Sequence, residues 1–321
     1  MDLSVIIINY NLSKEIKDCL NSFLDNIRDI DFEIILVDNN SEDESILKVA
    51  EEFSQNKKIN FTFLRTDRNI GFGNACNLAA KKASGKWLFF LNPDTVINSN
   101  IFKGTIVNKL SDSSFQGIIG LNVNSNKILD YSAGYFPNYL FEILNIFLLG
   151  RYIEALYIKF KEIFSKSKSL NVEWVMGAAL LINRQLFEEI KGFDPDYFLY
   201  FEEMDLCKRV ISRGLTVTYL SNIKIDHLGG ASSKKNYYFL TKMFYKGKLL
   251  FLKKHSTKIA FSVYRILFRF TVVNQIIFWW LIKFQNGEKS AGKIWAFKEI
   301  LKHLDTPEKI NNLLINNEYS S

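Results

Sequence analysis

Residues 3–91 alternate between short runs that are apolar on both faces and longer segments that are apolar along one side only. The short runs are LSVIII (residues 3–8), FEIILV (32–37), INFTFL (59–64) and KWLFFL (86–91). Between them, Ile16, Cys19, Leu20, Phe23 and Leu24, and then Leu47, Val49, Ala50 and Phe53, recur at helical spacing. A strand that is apolar on both faces needs cover on both, and a helix after each strand supplies it. The pattern predicts an α/β fold built on a Rossmann-like, mostly parallel sheet covered by helices. With 321 residues, 48% of them hydrophobic, the chain can build one such core and an appendage.

Sheets of this kind bind ligands at the carboxyl ends of their strands. Asp38 ends the second run, the loop NIGFGNACN (69–77) follows the third, and Asp94 follows the fourth in WLFFLNPDT, so one rim collects all three. Pro93 fixes its own backbone and removes a donor, which stops the strand abruptly in front of Asp94. The glycine fingerprint of a dinucleotide site is missing, because NYNLSKE after the first strand holds no glycine. A P-loop is excluded because no G-x-x-x-x-G-K-[ST] occurs. Further along, IIGLNV, YSAGYF and WVMGAALLINR have strand character, and residues 138–164 read as one long aromatic helix. EEMDLCKRVISRG reads as an amphipathic helix stopped by Gly214.

The motifs SVIIINYN (4–11), VDNNS (37–41), NIGFGNACN, LNPDT (91–95), WVMGAALLINR (174–184), GFDPDYFLYFEEMDLCKRV (192–210) and HLGGAS (227–232) stand in that order. Together they resemble the family 2 glycosyltransferases of the GT-A fold, within that family the rhamnosyltransferase-like bacterial enzymes of surface polysaccharide synthesis. The resemblance implies an inverting transfer of a sugar from a nucleotide-sugar donor, with dTDP-rhamnose as a candidate, to a glycan or lipid-linked acceptor. It places Asp38 against the nucleobase, and Asn9, Tyr10, Asn69, Gly71, Gly73, Asn77 and Asn92 around the nucleotide sugar. It assigns Asp94, the last acid of a DxD-type motif, and His227 to a divalent metal, Mg²⁺ or Mn²⁺. Here Asn92 replaces the first acid of that motif, so the nucleotide and His227 would have to complete the metal site. It assigns the general base to Glu203, with Glu202 beside it. Glu203 stands where the family usually has Asp, which leaves the choice between the two glutamates open.

Each assignment has a plainer competitor. Asp38 suits an Asx-turn, Asp94 a helix cap before INSNIFKG, and His227 an ordinary core position. The glycines suit a tight strand-to-helix turn, and Glu202 and Glu203 an acid-rich first helical turn. Trp174, Tyr197, Phe198, Tyr200 and Phe201 suit either a water-excluding sugar platform or simple core packing.

The net charge of +7 is uneven: no Asp or Glu lies between Asp226 and Glu288, a stretch rich in lysine, arginine and aromatics. We place a boundary near Ser232, giving a catalytic region 1–231 and a helical, membrane-associating region 232–321. Residues 266–284 reach the length of a membrane span, yet carry Arg269, Asn274 and Gln275. An interfacial anchor on an anionic membrane fits them better. No recognised nucleic-acid motif accompanies the basic stretch. Cys19, Cys76 and Cys207 are scattered and odd in number, which suits a reducing compartment, and no secretory leader is read at Met1. The expected location is the cytoplasm, peripheral on the inner face of the membrane. Two other readings compete: a nucleotide-sugar-binding scaffold without chemistry, and a nucleotidyltransferase, although the glycine-rich basic loop of the latter is missing.

Overall fold

The computed structural model describes residues 1–28, 30–57, 59–112, 115–124, 132–166, 168–227, 236–283 and 287–304. The first stretch runs β1 (Leu3–Asn9), α1 (Ser13–Asn26), β2 (Phe32–Asp38), α2 (Ser45–Ser54), β3 (Asn60–Arg65), α3 (Phe72–Ala80) and β4 (Trp87–Leu91). The middle runs β5 (Thr95–Val96), α4 (Thr105–Ser111), β6 (Gly117–Asn124), β7 (Ala133–Gly134), α5 (Tyr139–Ile146), α6 (Gly150–Phe164), β8 (Ser169–Asn171) and β9 (Trp174–Val175). Then come β10 (Ala179–Asn183), α7 (Arg184–Glu189), α8 (Glu202–Ile211), β11 (Thr216–His227), α9 (Tyr237–His255), α10 (Lys258–Leu281) and α11 (Gly287–His303).

Among the described residues one nine-stranded sheet has the order β3-β2-β1-β4-β10-β6-β11-β5, with β8 also paired to β11. β3, β2, β1 and β4 are mutually parallel, as the alternation predicts. β10 then runs antiparallel to both β4 and β6, which makes the sheet mixed. Leu3, Val5 and Ile7 of β1, with Ile34 and Leu36 of β2, bury one face against Ile16, Leu20 and Phe23 of α1 and Ile46 and Phe53 of α2. Ile6 points the opposite way, since neighbours on a strand alternate, and α3 lies against that side of β1.

The chain divides into two compact units. The first comprises Met1–Tyr135, Ala155–Asp196 and Glu202–Ser232, and holds the sheet. The second comprises Phe136–Glu154, Tyr197–Phe201 and Ser233–Ser321. The boundary expected near Ser232 falls outside the described residues. The second unit has its own apolar centre, where Leu249 of α9, Phe268, Val272 and Trp279 of α10, and Phe297 and Ile300 of α11 meet.

The single helix expected over 138–164 is two helices. Leu148 takes a left-handed backbone (φ 62°), and Leu149 N–H returns to the Leu144 carbonyl at 2.9 Å, closing α5 before α6 begins. Gly150 leaves room at the join: a Cβ there would displace the Asn145 side chain and come within 3.0 Å of the Phe141 carbonyl. α10 is one helix, among the described residues, long and apolar enough to cross a membrane. The aromatics 197–201 pack within the second unit: Phe198 on Phe239, Tyr200 on Phe244, and Phe201 on Phe244 and Phe251. For these residues the structure favours packing over a sugar platform.

Candidate active site

At the end of β4 the chain turns sharply. Asn92 N–H donates to the Ala178 carbonyl (3.0 Å), and the Thr95 hydroxyl donates to the Asn92 carbonyl (2.7 Å), so the Asn-Pro-Asp turn is pinned on both sides. No helix starts after it. The strand β5 does, and it pairs antiparallel with the last residues of β11, Val96 opposite Asp226 and Thr95 opposite His227. That register brings His227 beside the residue before Thr95. Its Nε2 lies 3.0 Å from Asp94 Oδ1, and Asp94 is buried. The helix-cap reading of Asp94 is thereby removed.

This pair offers one carboxylate and one imidazole. Among the described residues no three His, Cys, Asp or Glu side chains group closely enough to hold a metal by themselves. A hard cation such as Mg²⁺ seeks about six ligands, mostly oxygen, and retains waters readily. Asp94 and His227 therefore fit a cation whose remaining ligands come from a diphosphate and from water, and do not fit a closed protein cage.

The nucleotide-side residues form a row across the parallel strands. Asn9 is level with Asp38, and Asp38 with Arg65. Asp38 is fully buried and already saturated. Its Oδ1 accepts from Asn9 Nδ2 (2.8 Å) and Ser41 Oγ (2.5 Å), and its Oδ2 accepts from Ser41 N–H (3.3 Å) and pairs with Arg65 Nε (3.2 Å). A base could reach this carboxylate only by displacing one of these donors. Asn9 is committed too: it also donates to Ser41 Oγ, and its Oδ1 accepts from Leu12 N–H. Tyr10 is half-buried beside it.

Asn39 and Asn69 clamp the next loop. Asn39 Nδ2 donates to Asn69 Oδ1 (2.9 Å), Asn39 Oδ1 accepts from Ile70 N–H (3.0 Å), and Asn69 Oδ1 accepts from Gly71 N–H (3.0 Å). Gly71 starts α3 at φ 84°, a conformation that only glycine adopts cheaply. Gly73 serves packing, since a Cβ there would press on Phe193 Cβ at 3.1 Å and lie in ordinary contact with Glu202 at 3.5 Å. Asn77 is a tether rather than an open ligand contact: its Nδ2 donates to the Phe193 carbonyl (2.8 Å) and its Oδ1 accepts from Phe193 N–H (2.9 Å). From the other side Arg209 donates to the Ile190 and Gly192 carbonyls (2.7 and 2.8 Å) while paired with Asp205 (2.7 Å). Segment 190–193 is thus held from two helices before the chain reaches Glu202.

Tyr200 and Phe201 both have left-handed backbones (φ 68° and 72°), rare for bulky residues and costly enough to need support from surrounding packing. α8 starts at the next residue with Glu202 and Glu203. Glu202 is buried, and its Oε2 has no hydrogen-bond partner among the described residues. Burial, and then the neighbouring Glu203 charge, push its carboxyl well above the usual carboxylate range. Glu203 is half-buried and lies against Gly177, where a Cβ would sit 3.6 Å from Glu203 Cβ. The segment Gly177–Ala178 therefore neighbours Glu203 at its first residue and, through the Ala178 carbonyl, fixes Asn92, two residues before Asp94.

The profile described as Glycosyl transferase family 2 matches residues 4–206. The chain belongs to that family. The match takes in Asp38, Asp94 and both glutamates of α8, and ends before β11 and His227. Among relatives, this family 2 chain is similar to the rhamnosyltransferase WbbL of Escherichia coli (strain K12), at 28% identity over 167 residues, 49% of this chain and 60% of that protein. It thus spans less than two thirds of that relative. Among solved structures, the mannosyltransferase PcManGT of Pyrobaculum calidifontis, in complex with GDP-Man and Mn²⁺, superposes with a TM-score of 0.58 at 12% identity. The match covers 99% of this chain and 87% of that one. Residues 1–349 of TarS from S. aureus, in complex with UDP-GlcNAc, superpose with a TM-score of 0.52 at 16% identity, over 98% of this chain and 84% of that one. These likenesses place the family 2 chain in the GT-A fold.

Asn39, Ser41, Thr95 and Arg209 stand inside the sequence motifs without an assigned role, and Arg65 stands outside all of them. A charged residue closing a strand level with a buried acid on the next, as Arg65 closes β3 beside Asp38, is the signal that marks one of them.

Proposed function

We propose that the chain transfers a sugar from a nucleoside-diphosphate donor to an acceptor hydroxyl, with inversion at the anomeric carbon. The observation that carries this reading is the placement of Gly177–Ala178, which neighbours Glu203 at its first residue and, at the Ala178 carbonyl, accepts from the N–H of Asn92, two residues before Asp94. Glu203 accepts the proton of the acceptor hydroxyl as its oxygen attacks the anomeric carbon. The bond from that carbon to the diphosphate oxygen breaks on the opposite face, and the electron pair leaves with the nucleoside diphosphate. Asp94 and His227 are the residues that would hold Mg²⁺ or Mn²⁺. Such an ion, when bound, offsets the charge that develops on the leaving diphosphate. Glu202, kept from ionising by burial, sits next to the base without competing for the proton.

Rhamnose from dTDP-rhamnose is the donor sugar proposed, supported by the similarity to WbbL. The solved neighbours carry other donors, GDP-Man and UDP-GlcNAc, so the fold alone does not select the sugar. A lipid-linked or glycan acceptor at the cytoplasmic face of a membrane is proposed with it, supported by the acid-free basic stretch and by three cysteines that are all free and buried. The test is release of nucleoside diphosphate from a panel of dTDP- and UDP-sugars with Mg²⁺ or Mn²⁺, alongside thermal shift with each donor. A donor that raises apparent stability yet is never turned over, in the presence of lipid-linked acceptors, would favour a binding protein instead.

A further inference from the structure

α10 is apolar on two opposite faces, and only one of them is used inside the second unit. Phe268, Val272 and Trp279 face the core shared with α9 and α11. Ile259, Val263, Ile266, Phe270, Val273, Ile277 and Leu281 recur at steps of three and four residues, and all are exposed. At 1.5 Å per residue this stripe runs about 33 Å without a polar interruption. Asn274 Nδ2 donates to the Ile146 carbonyl at the end of α5 (2.7 Å), and Tyr139 stacks on Tyr264 at 4.5 Å, so α5 lies along α10. α5 widens the face with Leu140, Ile143 and then Phe147, also exposed.

The charges around this face have one sign. Lys258, Arg265 and Arg269 follow one another at steps of seven and four residues, close to whole turns, and so share one flank of the helix, and Lys283 follows just beyond its end. The single acid of α5, Glu142, is turned inward, where both of its oxygens meet Lys248 Nζ at 2.7 and 2.8 Å. An apolar stripe with a basic flank and no carboxylate matches hydrocarbon bordered by anionic headgroups.

We infer that the joined face of α5 and α10 rests in the boundary layer of an anionic lipid bilayer, with α10 lying along the surface instead of crossing it. The inner face of α10 is occupied by α9 and α11. α11 carries Lys289, Lys293, Lys298 and Lys302, which the bilayer interior would exclude. The inference rests on the membrane-side acceptor proposed above for its purpose, and on the exposed face for its evidence.

The test is flotation of the full chain with vesicles of phosphatidylglycerol and phosphatidylethanolamine, and with phosphatidylcholine vesicles alone. The chain floats with the anionic vesicles, and F270E/I277E lowers the bound fraction roughly tenfold or more, because charge replaces apolar contact. L140E/F147E on α5 does the same, while L47E, at an exposed apolar site on α2, leaves flotation unchanged. Circular dichroism melts confirm that the variants fold. Unchanged flotation of both double variants, or no flotation of the unsubstituted chain, overturns the inference. So does resistance to alkaline carbonate extraction, which would mean that α10 spans. A lipid-free dimer that F270E/I277E splits would show that a second copy covers the face, and overturns it too. Nucleoside diphosphate release measured without vesicles keeps the two readings apart: lost flotation with intact turnover removes only the membrane face, and the reverse removes only sugar transfer.

Discussion

The side-chain amide of Asn77 on α3 takes both backbone polar groups of Phe193, donating to its carbonyl at 2.8 Å and accepting from its N–H at 2.9 Å. Residues far apart in sequence are joined by the one side chain that can donate and accept in a single plane. Asn77→Ala removes both bonds, and the expected loss is about 2 kcal/mol at roughly 1 kcal/mol each. A urea melt checks it through an earlier midpoint with an unchanged slope.

The two glutamates of α8 are expected to fail differently. Glu203→Gln removes the proton acceptor and should lower sugar transfer by about 10²–10⁴-fold while donor binding, followed by thermal shift, is kept. Equal turnover in Glu203→Gln and the unsubstituted chain would remove Glu203 as the base.

Glu202→Gln acts on stability. In acid, below the usual carboxylate range, Glu202 carries its proton in folded and unfolded chains alike, so the substitution changes little there. As pH rises the unfolded chain ionises, whereas burial and the Glu203 charge hold the folded carboxyl protonated, and stability is lost. The neutral amide escapes that loss. Melts at pH 3 and pH 8 should therefore show Glu202→Gln gaining on the unsubstituted chain only at the higher pH.

Asp94 and His227 should be separable by metal titration. His227→Ala is expected to raise the Mg²⁺ or Mn²⁺ concentration for half-maximal turnover by about 10–100-fold, the range found when a group supporting a metal is removed. Asp94→Asn should lower turnover at saturating metal as well. A His227→Ala chain with an unchanged metal midpoint would leave the 3.0 Å contact as a structural pair only.

Lys248 and Glu142 tie α9 to α5 in a buried two-oxygen contact. Breaking such a pair strands a charge, so Lys248→Met should cost about 3–5 kcal/mol, and adding Glu142→Leu should recover part of it. Chemical denaturation of the single and double variants measures both.

What could be read from the sequence was local or periodic. The four parallel strands and their helices show in the spacing of Ile, Leu, Val and Phe, and Asp38, Asp94 and Glu203 stand out because acids interrupt or follow apolar runs. Strand order is different: nothing in WVMGAALLINR says that β10 inserts antiparallel between β4 and β6. The meeting of His227 with Asp94 depends on the two-residue strand β5, too short to leave a pattern. Asp38 looked like an open acceptor because its four donors come from Asn9, Ser41 and Arg65, neighbours that only the register supplies. The division of residues 138–164 went unseen because Leu148, whose backbone turns left-handed, is an ordinary helix former.

The left-handed pair Tyr200–Phe201 resists simplification. A glycine at 200 would relax the backbone by on the order of 1 kcal/mol, yet it would also delete the ring that packs on Phe244 and loosen the unfolded chain. A search for hardier variants that placed glycine wherever the backbone turns left-handed would gain nothing dependable at this position, because the bulk that makes the turn costly is the same bulk that fills the second unit.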